Sequence, residues 1–218
     1  MSALPLEARD GGGRYPGFDV TEYAHHWDDA TRSVVEGRLG RQPAMRFFTE
    51  AEEAAACALF DQLLYQRIEP RVPVVQMVDV RLAENQTDGW HYSSMPTDGQ
   101  AWRDSLAGLD ADARAAHGLT FMRCPWAQQQ AMLQAIHDLE AARWHGMIAI
   151  QVWSLWTRYA CTAFYSHPWA WNEIGFDGPA YPRGYKNLGV GKLESFEMHD
   201  THPNDDPTQT DDEPRGDR

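Results

Sequence analysis

The residues best suited to chemistry in this 218-residue sequence are nine histidines and three cysteines. His137 and Glu140 stand three residues apart, a spacing that places both side chains on one face of a helix, where they could bind a metal ion. Metal sites in helical bundles need two such pairs and two further inward carboxylates. A single pair therefore favours an exposed ion pair. A stand-alone metal-dependent enzyme that uses His137, Glu140 and His145 stays open as an alternative.

The three cysteines, Cys57, Cys124 and Cys161, lie far apart and form no CxxC pair. This spacing gives no local support for a zinc ribbon, a thioredoxin-like motif or a c-type haem site. Cys161 stands among apolar neighbours, so we expect its thiol to be buried and inert. Arg158, three residues earlier, leaves a reactive thiol as the alternative.

Two histidines, His145 and His167, flank the longest apolar stretch of the chain. We expect His145 at the start of a helix, as a partly exposed residue of the cap region, and His167 near the end of that helix, where the helix dipole favours a protonated imidazole. Either could act as a general base only beside an acidic partner. The sequence has no GxSxG, HExxH or glycine-rich phosphate-binding motif. We therefore predict that the chain carries no catalytic, cofactor-binding or metal-binding residue of its own.

The formal net charge of −13 argues against binding to nucleic acid and against docking on anionic lipid through a basic patch. Residues 197–218 are strongly acidic, and we predict that they form a disordered tail. No apolar run is long enough for direct membrane insertion. The start shows neither an apolar signal segment nor twin arginines. We therefore expect the chain as written to stay in the cytoplasm, unless its partner carries an export signal or the start is truncated.

Helical spacing of apolar residues predicts an all-α fold of five or six helices. The clearest helix start is Thr49 followed by Glu52, the spacing of a capping box. We place an irregular arm at residues 1–27 and a single helical domain at 28–196, before the tail. The stretch at about 144–166 is apolar nearly all round and is predicted to be the central helix. Its β-branched residues leave a strand as the alternative, which the length of the stretch disfavours.

The segment 168–192 is rich in glycine, proline and aromatic residues and shows no period. We therefore expect an ordered, irregular wrap there rather than a regular element. Large aromatic residues and arginine are typical of the centres of protein interfaces. This segment, with the end of the preceding helix, is therefore predicted to contact a partner protein. The predicted contact residues are Phe164, Tyr165, His167, Trp169, Trp171, Asn172, Phe176, Tyr181, Arg183 and Tyr185.

Three sequence markers occur in the order seen in one known family. The first is FFT at 47–49, before an acidic, alanine-rich helix. The second is a Leu- and Asp-rich helix at 106–117, followed by FMRCPWAQQQAMLQAI. The third is FYSHP at 164–168, followed by Asn172 and by IGFDGP. Over residues 47–185 the chain resembles the gluconate 2-dehydrogenase subunit 3 family, whose members typically show FYSxP, an Asn in a Gly-rich turn and IGYPGP.

The resemblance implies a non-catalytic small subunit. In that family, a larger FAD-containing oxidoreductase of the glucose–methanol–choline (GMC) type oxidises a sugar, glycoside or polyol, and the small subunit binds and stabilises it. The resemblance thus places FAD in the partner of a heterodimer, to which some complexes add an electron-accepting c-type cytochrome. A maturation chaperone that leaves the flavoprotein stays an alternative. The chain departs from the family pattern at 169–171, where Trp-Ala-Trp replaces the Gly-rich turn, and in showing no export signal.

Overall fold

The computed structural model describes Leu4 and residues 12–187 and 189–205, and the part that it describes is mostly helical. The all-α prediction is confirmed. The helices are α1 (Asp29–Leu39), α2 (Glu50–Leu63), α3 (Val74–Ala83), α4 (Asp98–His117), α5 (Trp126–His137), α6 (Ala149–Phe164) and α7 (Pro168–Ile174). Short 3-10 helices at Val20–His26 and Phe121–Arg123 precede α1 and α5, and the strands β1 (Arg143–Trp144) and β2 (Met147–Ile148) form an antiparallel pair before α6.

The chain divides into two compact units. The described parts of residues 1–41, 68–72 and 165–218 form the first unit, and residues 42–67 and 73–164 form the second. The first unit therefore combines the two ends of the chain, whereas the second contains α2 to α6. The bounds that the sequence suggests for arm, domain and tail stay predictions.

The beginning of the predicted acidic tail contacts the N-terminal part of the first unit. Arg14 donates from Nε to Asp200 Oδ2 at 2.8 Å and from Nη2 to the carbonyl of His202 at 2.8 Å. The backbone N–H of Thr201 donates to the carbonyl of Arg14 at 2.9 Å. The predicted disorder of the remaining tail falls on residues 206–218, which lie outside the described residues.

The core of the second unit forms around the buried indole of Trp102 on α4. The Trp102 ring packs against the rings of Phe48, Phe60 and Tyr159 at centroid distances of 6.1, 5.4 and 5.7 Å. Because α2, α3, α4 and α6 all contribute apolar residues to this unit's core, removal of apolar surface from water is the main force that holds the four helices together.

The predicted central helix is shorter than its apolar stretch, because a tight hairpin precedes it. His145 and Gly146 have φ values of 46° and 84°, the sign of φ that a two-residue hairpin turn requires. Trp144 anchors the hairpin by donating from Nε1 to Asp112 Oδ2 of α4 at 2.7 Å. His145 therefore lies in a turn, and the expectation that it starts a helix is wrong.

Helix α6 is buried along one side only. Val152, Trp156 and Tyr159 are buried, whereas Ile150 and Cys161 are exposed. The expectation that Cys161 is buried is wrong, because its position on the helix turns it away from the core. Although α6 is the most apolar helix, no helix in the described ranges has both the length and the apolar character needed to cross a bilayer.

A separate apolar cluster forms the core of the first unit. Its buried members are Phe18 and Val20 near the first 3-10 helix, Trp27 and Val35 beside and within α1, and Trp171 of α7. These residues come from opposite ends of the chain. The N-terminal segment from residue 15 to α1 is therefore packed into the same core as α7.

Helix α7 corrects the expectation that the segment after residue 168 contains no regular element. His167 caps its N-terminus, and Pro168 occupies the first helical turn, where proline is favoured because its missing N–H has no helical partner. Gly175 ends the helix with a left-handed φ of 67°, as is common at helix C-termini. A short helix of this kind shows no clear apolar period in the sequence.

Candidate partner-binding surface

One residue of the predicted contact segment, His167, is a buried histidine that connects α1 with the start of α7. The Nδ1 atom of His167 accepts a hydrogen bond from the backbone N–H of Trp169 at 3.2 Å, and Nε2 lies 3.1 Å from the carbonyl oxygen of Arg38. One neutral tautomer, with the proton on Nε2, satisfies both contacts. His167 is 1% exposed, so its side chain is used inside the unit.

The environment of His167 favours the neutral imidazole. Burial lowers the pKa of His167 to about 4, and the positive charge of Arg38 acts in the same direction, whereas the hydrogen bond to the Arg38 carbonyl opposes the shift. The expectation of a protonated imidazole at a helix end is wrong. His167 caps the N-terminus of α7, where the helix dipole is positive and disfavours a cation.

Asn172 and two glycines of the IGFDGP motif hold the N-terminal segment in place. Asn172 Oδ1 accepts from the backbone N–H of Val20 at 2.9 Å. A β-carbon on Gly175 would lie 2.3 Å from Cε1 of Tyr15. Gly175 and the next glycine, Gly178, both have left-handed φ values, of 67° and 81°, which side chains other than hydrogen disfavour. In this chain, therefore, the motif packs against the N-terminal segment and holds it in position.

Arg183 is also used within the first unit. Its guanidinium pairs with the buried carboxylate of Asp177 and lies 3.6 Å above the ring centroid of Phe196. Burial raises the pKa of Asp177, and Arg183 counteracts this shift. Through these two contacts, Arg183 joins the chain after α7 to the segment around residue 196. Its side chain is therefore engaged inside the unit.

The predicted contact residues thus divide into two groups. Four aromatic residues, Tyr165, Phe176, Tyr181 and Tyr185, are exposed, and Tyr181 is the most exposed of them at 66%. The others are buried or half-buried, namely His167, Trp169, Trp171, Asn172 and Arg183 in the first unit and Phe164 at the end of α6 in the second. The predicted set does not include three exposed apolar residues, Ile174, Val190 and Leu193. Their only signal is the apolar residue type, at the end of α7 for Ile174 and in a glycine-rich loop for Val190 and Leu193.

The exposed aromatic side chains rest on a rigid base. Trp171 Nε1 donates to the carbonyl of Tyr165 at 2.6 Å, and its ring packs edge-on against Phe176 at 5.3 Å. The ring of Tyr185 lies 6.0 Å from that of Phe196. Aromatic side chains held in this way lose little conformational freedom on binding, which favours their use as interface anchors. The contact of these residues with a partner protein stays a prediction.

The first sequence marker, FFT at 47–49, is explained by a buried carboxylate in the second unit. Asp79 of α3 accepts hydrogen bonds from the backbone N–H groups of Arg46, Phe47 and Phe48 at 2.7, 2.9 and 2.8 Å. The capping box predicted immediately afterwards, at the start of α2, is confirmed. The marker therefore fixes the path by which the chain enters α2.

The second marker has an equally structural role. Asp110 Oδ1 accepts from the backbone N–H of Phe121 at 2.9 Å, and the buried amide of Gln129 donates from Nε2 to the carbonyl of Phe121 at 2.9 Å. Gln62 of α2 donates to Gln129 Oε1 at 3.0 Å. These contacts join α2, α4 and α5 around the Phe121–Arg123 helix.

The candidate metal ligands do not converge. His137 lies 3.5 Å from Asp138 Oδ1 and packs edge-on against Trp153, whereas His145 Nε2 lies 2.8 Å from Asp112 Oδ1. Among the described residues, no three His, Cys, Asp or Glu side chains are placed to hold a metal ion together. The structure therefore gives the metal-enzyme alternative no geometric support.

The second unit has an open cavity of about 300 Å³ beside the start of α4, lined in part by Phe47, Trp90 and Asp98. The carboxylate of Asp98 accepts a hydrogen bond from the Tyr159 hydroxyl at 2.7 Å. Burial raises the pKa of Tyr159, and the hydrogen bond to Asp98 raises it further. Because the Asp98 carboxylate is already engaged in the core, the cavity does not present it as a free general base.

Comparison with known proteins identifies one family. The model of the gluconate 2-dehydrogenase subunit 3 family matches residues 50–178, which is more than half of the chain. The matched range starts with α2 and ends at the glycine that packs against Trp27. No curated protein sequence and no solved structure matches the chain.

Proposed function

Because the chain belongs to the gluconate 2-dehydrogenase subunit 3 family, a family of accessory subunits, we propose that it binds and stabilises a larger FAD-dependent oxidoreductase of the GMC type. In this proposal the larger subunit carries the FAD and oxidises a sugar, glycoside or polyol, and this chain is not catalytic by itself. The two polypeptides form a heterodimer, to which an electron-accepting cytochrome can be added.

The observation that carries the proposal is the outward display of aromatic residues on the first unit. Five large apolar or aromatic residues are exposed within 21 successive positions of the sequence. They are Tyr165, Ile174, Phe176, Tyr181 and Tyr185. A single exposed apolar residue needs no explanation, but a concentration of them is characteristic of a binding surface. Aromatic residues of this size are also those that dominate the binding energy of interfaces.

The use of the sequence markers also supports a non-catalytic role. Asp79, Asp110, Asn172 and His167 all satisfy backbone groups of their own unit. None of these contacts forms the nucleophile, base and orienting acid that catalysis by side chains would require. The polar residues of the family-like motifs are thus accounted for by folding, which leaves the apolar surface for interaction.

The test is isolation of the tagged chain from its host under gentle conditions. We expect a larger polypeptide in equimolar amount, with the absorbance of bound flavin and a sequence of the GMC type, while the chain alone is colourless. Recovery of the chain alone would contradict the proposal, as would a chain that itself binds flavin and oxidises a sugar. A partner that is retained only before it has bound flavin would indicate the maturation chaperone instead.

A further inference from the structure

Both lysines of the chain, Lys186 and Lys192, lie in one short loop of the first unit. This basic loop, residues 181–193, contains these lysines and Arg183 but no acidic residue, in a chain with a net charge of −13. The loop is described except for residue 188. It is thus a local reversal of the charge that covers most of this chain.

The ammonium groups of Lys186 and Lys192 are available to a partner, whereas the guanidinium of Arg183 is not. Lys186 and Lys192 are exposed, and within the described ranges neither ammonium forms an ion pair. Arg183 pairs with Asp177 and stacks on Phe196. Several arginines elsewhere are also paired internally, as Arg103 is with Glu52 at 2.8 Å. The lysine charges are therefore free to attract an external partner.

Exposed apolar side chains accompany the two charges. Tyr181, Val190 and Leu193 are all exposed, and Val190 has no measurable protection from solvent. The glycines on either side of Val190, Gly189 and Gly191, both have positive φ values, of 144° and 69°. This combination of projecting apolar groups with flanking cations resembles an interface in which apolar contacts supply affinity and charges supply orientation.

The base of the basic loop is fixed, so its tip is presented in a defined way. The carboxylate of Glu194 accepts from the backbone N–H groups of Lys186 and Asn187, and from Asn187 Nδ2 at 3.2 Å. The hydrogen bonds occupy the acidic group nearest to the loop. They also reduce the conformational freedom that the loop would lose on binding.

We propose that the basic loop docks on an acidic surface of the larger dehydrogenase subunit, with Lys186 and Lys192 paired to carboxylates across the interface and Val190 inserted between them. This inference rests on the proposed function. Because most of this chain is acidic, the same partner surface repels other faces of the chain, and the loop thereby sets the orientation of the complex. A lipid surface fits less well, since membrane-binding basic clusters usually contain about four to eight cations.

The test uses the purified, flavin-loaded larger subunit and three variants of the full chain. At an ionic strength of about 0.05 M, we expect the double variant K186E/K192E to raise Kd by about tenfold or more, and the difference to shrink at about 0.5 M, where charges are screened. K186R/K192R keeps both charges and is expected to bind like the wild type. R41E/R123E makes the same change in net charge at two other exposed arginines and is expected to change Kd much less.

Zero-length coupling of amines to carboxylates gives a second readout, because the chain has only two lysine side chains. We expect cross-links from Lys186 or Lys192 to Asp or Glu residues of the larger subunit, and their loss at high salt. Unchanged Kd for K186E/K192E would overturn the basic-loop proposal and leave the subunit role intact, as would cross-links confined to this chain. Failure of the wild-type chain to bind would overturn both. Lysine-dependent retention on vesicles that contain phosphatidylserine, without an effect on the larger subunit, would overturn the choice of partner.

Discussion

Trp27 packs against Gly178 so closely that a β-carbon on the glycine would lie 2.5 Å from Cζ2 of the indole. The contact joins the N-terminal segment to the end of the IGFDGP motif, within the apolar core of the first unit. Gly178 also has a φ of 81°, so both its space and its backbone favour the absence of a side chain. Glycine is thus favoured at position 178 for two reasons: the backbone has a positive φ, and the Trp27 indole leaves no room for a β-carbon.

We expect G178A to destabilise the first unit by about 2 to 4 kcal/mol, the sum of left-handed strain and of overpacking against the indole. G184A is the matched control, because Gly184 has a similar φ of 69° but nothing within 4 Å of its β-carbon position. It should cost only the left-handed strain of about 1 to 2 kcal/mol. Chemical unfolding followed by tryptophan fluorescence measures both. Equal losses for the two variants would show that the close approach of Trp27 carries no energy.

Acid should destabilise the protein partly through His167. Its pKa of about 4 lies below the value of about 6.5 in an unfolded chain. The folded state therefore favours the neutral form, and this contribution is complete above pH 6.5 and is lost as the pH falls towards 4. The loss amounts to about 3 kcal/mol, from 1.36 kcal/mol for each unit of pKa.

The variant H167N separates this effect from general acid unfolding, because asparagine can still cap a helix but does not titrate. We expect H167N to be less stable than the wild type at pH 7 and to show a shallower loss of unfolding free energy between pH 6.5 and 4. The exposed His117 provides the control variant H117N, which should keep the wild-type slope. An acid limb that is unaltered in H167N would mean that His167 is not the neutral, buried group described.

Folding should require both carboxylate oxygens of Asp79 as hydrogen-bond acceptors. It accepts three backbone N–H groups before α2. In D79N one oxygen becomes an amide N–H group that faces a donor, so we expect a loss of about 1 to 3 kcal/mol in unfolding free energy. The control E84Q removes an exposed ion pair with Arg46 and should cost less than about 1 kcal/mol. A neutral D79N would refute the role given to this residue.

The exposed aromatic residues should affect binding without affecting folding. We expect Y181S to raise the Kd for the larger dehydrogenase subunit by about tenfold or more, in the range of interface hot spots, with little change in the melting temperature of the chain alone, because the Tyr181 side chain is 66% exposed. Tyr92 is an exposed aromatic residue of the second unit, and Y92S serves as the matched control. Wild-type affinity for Y181S would exclude Tyr181 as an anchor of the main contact.

Local signals in the sequence predicted much of the helical framework. The Thr49 capping box and the all-α class depend on near neighbours, and the structure contains both. The hairpin before α6 escaped prediction because apolar content does not reveal the left-handed backbone of His145. Cys161 was misplaced for a related reason, since a mostly apolar helix still turns some residues to solvent.

The candidate site was predictable as a segment but not residue by residue. Composition and motif resemblance drew attention to the chain around Tyr181, yet they could not distinguish exposed aromatic residues from buried ones. Trp171 and His167 are buried because they meet α1 and the N-terminal segment, and those contacts span more than a hundred residues of sequence. The sequence pattern predicts a protonated His167 at the end of α6. In the structure His167 instead caps the start of α7, where a positive charge is disfavoured.

The most direct measurement of the central claim is the mass in solution of this chain mixed with its purified, flavin-loaded larger subunit. Light scattering during size exclusion, with flavin absorbance recorded in the same peak, determines whether a complex forms. The account predicts a single flavin-containing species whose mass exceeds that of the larger subunit by 24.8 kDa, the mass of one copy of this chain. Two separate peaks at micromolar concentrations, with the flavoprotein at its own mass, would contradict it.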